Sequence, residues 1–182
     1  MNEHERHLLQ QLLHSGQRRG LNRPMLRTAC EFVIKHGWWY TPTLTALPAG
    51  KPNQCFLNAC EMAASNHDYV YVEGYAIIQG GVRTAHAWLT DGQGNAIDIT
   101  WPEPGVAYAG VPFARDFVVL NLLKHHAAVC LIDDYTHDWP LLREHGDRPA
   151  KWRDLRGKGR EKIEIAPGEI ECTGSVSPPP PD

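Results

Sequence analysis

No stretch of this chain approaches the roughly 20 consecutive apolar residues that a membrane-spanning helix needs. The N-terminal MNEHERHLLQQLLHSG also lacks the apolar segment of a secretory signal. The sequence therefore reads as that of a soluble, cytoplasmic protein without a membrane partner. It is short of charge bias as well: 18 Lys+Arg against 21 Asp+Glu leave a formal net charge of −3. That is too little to draw the whole surface toward nucleic acid or anionic lipid. The five cysteines (Cys30, Cys55, Cys60, Cys130 and Cys172) are odd in number and none is spaced CxxC. This argues against a disulfide framework and a structural zinc site, and leaves reduced thiols, one of them available for chemistry.

What is present suits one domain. The chain has 182 residues, 42% of them hydrophobic, enough for a sizeable core with some excess at the ends. Leu8, Leu9, Leu12 and Leu13 recur at helical spacing, as do Leu26, Ala29, Cys30, Val33 and Ile34. For the second helix, Asn22 and Pro24 suit the entry and Gly37 the exit. The Pro- and Thr-rich TPTLTALPAGKPN cannot sustain a helix and leads to QCFLNACEMAAS, which can, with Asn53 as its expected N-cap. YVYVEGYAII, RTAHAWLTD and NAIDIT, separated by Gly-containing turns, predict three consecutive antiparallel strands. Residues 117–123 fit strand or helix equally, residues 127–134 read as strand, and residues 137–145 as helix. The expected organisation is an N-terminal helical part (1–50), a core (51–145), a basic segment (146–168) and a Pro-rich, unpacked tail (169–182).

A thiol attacks carbonyl groups as thiolate, a form that the amide-lined N-terminus of a helix favours. Cys55 falls in the first turn of a predicted helix. Cys30 and Cys60 fall on apolar helical stripes, Cys130 in an apolar run and Cys172 in the tail. Strand pairing supplies possible partners. With Asp91-Gly92-Gln93 as the loop, Thr90 pairs with Gly94, Trp88 with Ala96 and His86 with Asp98, while Ala85, Ala87, Leu89, Ile97 and Ile99 form the reverse, apolar face. Asp98 would orient the imidazole and His86 would take the thiol proton. A two-residue Gly80-Gly81 turn pairs Tyr75 with His86 and sets Tyr71, Glu73 and Tyr75 on the histidine's face, with Val70, Val72, Gly74, Ala76 and Ile78 toward the core.

These residues resemble a family. Cys55 opening a helix, Glu73-Gly74-Tyr75 on the next strand, His86-Ala87-Trp88 and Asp98-Ile99-Thr100-Trp101 look like the transglutaminase-like branch of papain-like Cys-His-Asp enzymes. The likeness spans about residues 52–113. It implies an α+β fold in which N-terminal helices and the nucleophile helix pack on an antiparallel β-meander. It also implies a cysteine protease, amidase, deamidase or transglutaminase-like acyltransferase that acts on a protein or peptide amide through a thioester, without a cofactor. Gln54 precedes the nucleophile where many such sequences carry a small residue. Its side chain, or a neighbouring amide, together with the Cys55 amide, is the candidate oxyanion hole.

Other features have plainer readings beside functional ones. Glu73, Tyr75, Trp88, Trp101 and Tyr108 are candidate substrate-binding residues, although aromatics in such numbers also pack cores. Asn58, one turn beyond Cys55, is a steadying residue or an ordinary helix-to-strand link. His125, His126, Asp133, Asp134 and His137 match no recognised metal spacing, and no metal is expected. The basic run at 148–162 (Arg148, Lys151, Arg153, Arg156, Lys158, Arg160 and Lys162) is read as a solvated face that leaves a nucleic-acid partner open without predicting one. The competing reading is a non-catalytic protein-binding module on a papain-like frame, using the basic and Pro-rich end.

Overall fold

Leu8, Leu9 and Leu12 lie on one side of helix α1 (Glu3–Gln17), and all three are buried. A computed structural model describes residues 1–17, 28–125, 127–145 and 148–165 of the chain. Helix α2 (Ala29–His36) begins at a capping box: Thr28 accepts from the Glu31 amide and Glu31 from the Thr28 amide. This entry is later than the one assigned to Asn22 and Pro24, which lie outside the described residues.

Six strands follow: β1 (Trp38–Thr43), β2 (Val70–Ile77), β3 (Arg83–Thr90), β4 (Asn95–Ile97), β5 (Ala107–Phe113) and β6 (Glu161–Lys162). Helix α3 (Cys55–Ser65) precedes β2 and helix α4 (Arg115–His125) follows β5. The sheet order is β4-β3-β2-β5-β1-β6, and a parallel pairing of β1 with β4 closes it into a small barrel. The fold is α+β, and the expected β2–β3–β4 meander forms one part of the ring.

Side chains alternate across strands, which divides the core in two. Tyr40, Val72, Ala76, Trp88, Ala96 and Tyr108 cluster on one face of the strands, which the closed ring turns inward. Tyr71, Tyr75, Ala87, Leu89, Ile97, Val111 and Phe113 point outward, into the core shared with α1, α2 and α3. Gly110 leaves space for Trp88, and its partner Gly74 lets β2 and β5 approach closely. A Cβ on Gly110 would lie 2.5 Å from the Trp88 ring, and one on Gly74 would lie 2.2 Å from the Ala109 carbonyl oxygen.

Two registers differ from expectation. The turn after β2 closes with the Gly81 amide donating to the Ile78 carbonyl, and Ile77 pairs with Arg83. His86 therefore pairs with Gly74 and Trp88 with Val72. This shift of one residue turns β2 over: Tyr71, Glu73 and Tyr75 face away from His86, while Val72, Gly74 and Ala76 share its face. The β3–β4 pair differs by two residues, with Leu89 opposite Ile97. A two-residue slip preserves sidedness, so His86 and Asp98 still meet.

Residues 127–134 form no strand. The Leu131 and Ile132 amides donate instead to the buried Glu73 carboxyl, at 2.9 and 2.7 Å. Residues 115–125 resolve the ambiguous apolar run as helix α4. The stretch expected as helix holds only a 3-10 turn (Tyr135–His137) and a π-helical turn (Leu141–His145). The C-terminal segment is woven into the same fold: Trp152 is fully buried, Tyr40 donates to the Gly157 carbonyl at 2.7 Å, and β6 pairs with β1. The Pro-rich tail lies outside the described residues. No described helix is long and apolar enough to cross a membrane.

Candidate functional site

Cys55 is the first residue of α3, after an N-cap at Gln54. Asn53, expected as the cap, instead takes a left-handed conformation with φ of 60° one residue earlier. Gln54 is exposed and makes no capping bond with its side chain. The first amides of α3 have no partner within the helix, which is general for helix starts. The Cys55 amide and the Gln54 side chain are therefore the donors nearest to the thiol in sequence.

His86 and Asp98 are both buried, and His86 Nε2 lies 2.6 Å from Asp98 Oδ2. Four donors surround the carboxylate: the Thr100 and Trp101 amides on Oδ1, at 2.8 and 3.1 Å, and His86 and the Tyr108 hydroxyl on Oδ2, the latter at 2.9 Å. Burial alone would raise the Asp98 pKa, but the imidazole and the two amides hold it below the usual carboxylate range. An ionised Asp98 needs His86 to carry its proton on Nε2, which leaves Nδ1 for the thiol. For His86, burial acts to lower the pKa. Hydrogen bonds to Asp98 and to Cys55, with their charges, outweigh it and raise the pKa to about 8.

Aromatic rings fix the imidazole plane. Trp101 stacks on His86 with centroids 3.8 Å apart and 10° between planes, and Trp88 lies on the inward side at 6.4 Å. Trp88 and Tyr108 are fully buried, so they support the site from beneath and do not wall a groove. Of the aromatic candidates, only Trp101 is partly exposed beside the histidine. Tyr75 packs under Arg83 on the opposite face of β2. Glu73 is buried there too. It accepts from the Tyr71 hydroxyl, the Cys130 thiol and two amides, and burial raises its pKa. Neither Glu73 nor Tyr75 reaches the thiol site.

Two of the other described thiols, Cys60 and Cys130, are disfavoured as nucleophiles. Burial, then the charges of Glu61 and Glu73, pushes Cys60 up to about 11. Burial and Glu73 push Cys130 well above the ordinary thiol range. All four described cysteines are free, and Cys55 is only partly buried.

Comparison with known protein families, curated proteins and solved structures gives no match.

Asn58 has a larger role than sequence reasoning gave it. Its Oδ1 accepts from the Lys51 amide at 3.0 Å, and its Nδ2 donates to the Lys51 carbonyl at 2.8 Å and to Thr100 Oγ1 at 2.9 Å. The Gly50 amide also donates to the Ile99 carbonyl at 2.6 Å, and a Cβ on Gly50 would strike the Asn58 amide group at 2.4 Å. One side chain thus ties the approach to Cys55 to the segment after Asp98. The Pro-rich approach holds no signal of this, since the contacts run between a loop and a distant turn. Asn58→Ala is expected to cost roughly 1–3 kcal/mol, because the buried amide's three hydrogen bonds to partly buried groups are lost. A lower midpoint in urea unfolding, together with slower modification of Cys55, is the expected outcome. Unchanged reactivity would limit Asn58 to a folding role.

The basic run is less available than its sequence suggests. Arg156 pairs with Asp154, Arg160 with the buried Glu5, and Lys162 donates to the Gly37 carbonyl beside the Trp38 ring. Burial, then Arg153, lowers Lys162 to about 8.

Proposed function

We propose that this protein is a cysteine-nucleophile hydrolase or acyltransferase of transglutaminase-like or papain-like type, acting on a protein or peptide amide. The observation that carries the reading is the buried His86, held by Asp98 through Nε2, with Cys55 at the start of α3 near enough to raise the imidazole pKa. Cys55 attacks the carbonyl carbon while its proton passes to His86 Nδ1. The tetrahedral oxyanion is met by the Cys55 amide and by Gln54. Collapse expels the amine, which takes the proton from His86 and leaves a thioester on Cys55. Water or a second amine, deprotonated by His86, then releases the acyl group. The free thiols fit a reducing compartment such as the cytoplasm.

The internal pairing of Arg156 and Arg160 weakens the competing reading of a binding module built on the basic segment. A thiol-directed electrophile separates the two. Iodoacetamide at limiting concentration should modify Cys55 before Cys30, Cys60 or Cys130, as read by peptide mass spectrometry, and Cys55→Ala should abolish the fast phase. His86→Ala should slow that phase by at least about tenfold, as expected when an activating base is removed. Equal modification of all cysteines, or a rate indifferent to His86, would remove the basis of the enzyme reading.

A further inference from the structure

Apart from the thiol site, a second set of metal-ligating side chains converges on the far end of α4. His125 is the last residue of that helix, Asp134 caps the 3-10 turn that follows, and His137 ends the turn. One nitrogen or oxygen from each lies within 4.8 Å of the others. The two imidazole centroids are 4.0 Å apart, close for rings that repel each other once protonated. His125 Nε2 is shielded from solvent and has no hydrogen-bond partner. Such a shielded, unpartnered nitrogen costs free energy unless something binds it.

The carboxylate is already oriented. Asp134 is 4% exposed, and its Oδ1 accepts from Thr136 Oγ1 at 2.7 Å and from the His137 amide at 3.3 Å. Both of its oxygens lie 2.9 Å from His137 Nδ1. Hydrogen bonds that fix one ligand and leave another free are the arrangement by which outer groups aim metal ligands.

We propose that His125, Asp134 and His137 bind a divalent transition-metal ion of the Zn²⁺ class. Two neutral imidazoles and one carboxylate supply an N₂O set. That set suits borderline ions such as Zn²⁺ and Co²⁺, and disfavours Ca²⁺ and Mg²⁺, which take oxygen ligands in larger number. Zinc–nitrogen bonds of about 2.0–2.1 Å require the ligand atoms to draw in by about an ångström from their present spacing. That movement falls to the His125 and His137 rings, since the Asp134 carboxylate is buried and held by Thr136 and the His137 amide. Three protein ligands leave a fourth position for water. The ion would pin the 135–137 turn to the end of α4, and with it the loop whose amides hold Glu73. The sequence hides the site because its ligands are spaced 125, 134 and 137, a pattern belonging to no common motif.

The test uses the full chain carrying Cys55→Ala, so that the thiol and His86 do not compete for metal, stripped with a chelator. Calorimetric titration with ZnCl₂ is expected to show one equivalent bound at micromolar or tighter affinity. His125→Ala and His137→Ala should each weaken it by about a hundredfold, as loss of one of three ligands implies. Circular dichroism of the metal-free variants should match the parent, because His125 ends α4 and His137 is exposed at the end of the turn. Should either variant unfold, the parent's Co²⁺ spectrum decides. Intense visible bands of four-coordinate Co²⁺ without thiolate charge transfer support the site, whereas a thiolate band or octahedral-type weak absorption overturns it. Affinity unchanged in both variants, or no saturable binding below millimolar zinc, would also overturn it.

Discussion

Asp98→Asn should move the titration midpoint of His86 downward from about 8, as followed by NMR of the imidazole protons. The substitution removes the Asp98 charge and leaves burial, which favours the neutral ring, opposed by Cys55 alone. It also mismatches its surroundings, because all four groups around the carboxylate are donors. An amide NH₂ turned to Oδ1's place opposes the Thr100 and Trp101 amides. Turned the other way it opposes the protonated Nε2, moves the proton to Nδ1, and points an N–H at the thiol. Loss of the correct tautomer should slow Cys55-dependent turnover, or alkylation of the thiol, on the order of 10³-fold.

Stability should change in the same variant. His86 has a folded pKa of about 8 against an ordinary 6.5, worth roughly 2 kcal/mol. A raised folded pKa stabilises fully below about pH 6.5, and the contribution fades as pH rises through 8. Asp98 acts in the opposite sense. Its lowered folded pKa stabilises above the ordinary value of 3.8 and is lost as pH falls. Wild-type protein should therefore show both contributions together between about pH 4 and 6.5, and Asp98→Asn should flatten that region in urea unfolding followed against pH. A midpoint for His86 that stays near 8 would show that Asp98 is not its cause.

Trp88→Ala carries the largest expected cost in stability, about 3–5 kcal/mol for loss of a fully buried indole. The ring fills the space left by Gly110 and meets Tyr40 and Tyr108 edge-on, with centroids at 5.6 and 5.0 Å. Its Nε1 has no hydrogen-bond partner, so the measured loss reports packing without a polar contribution. Trp88→Phe should recover most of it. The midpoint of chemical denaturation at constant slope is the measurement; a cost below about 1 kcal/mol would mean that the ring interior collapses around the missing side chain.

The sequence made His86 and Asp98 legible because the face of a strand depends only on the parity of its pairing. The β3–β4 register was misjudged by two residues and the pair survived. The β2–β3 register was misjudged by one, which carried Glu73 and Tyr75 to the wrong face. Gly80 and Gly81 both adopt positive φ, but the dipeptide alone does not say whether the turn closes at Ile78 or Gln79. Barrel closure left no local trace. WWYTPT carries Pro42 in the middle of the parallel pairing with β4, and AYAGVPF holds Gly110, so neither reads as a strand. Residues 127–134 have strand-like composition, yet their amides are taken by Glu73, a partner far away in sequence. Tyr108, read as a substrate contact, proved to be the donor that completes the Asp98 shell.

The parallel seam between β1 and β4 also has a bearing on timing. Residues 41–43 find their partners only at 95–97, Tyr40 finds the Gly157 carbonyl, and Trp39 finds Glu161. Contacts so widely separated along the chain slow folding, and during synthesis at about 5–20 residues per second the N-terminal strand must wait for the C-terminal one. Cys55 leaves the ribosome well before the ring that orients His86 is complete. A nascent chain would thus carry its thiol without an oriented base until β5, the last strand of the ring, emerges.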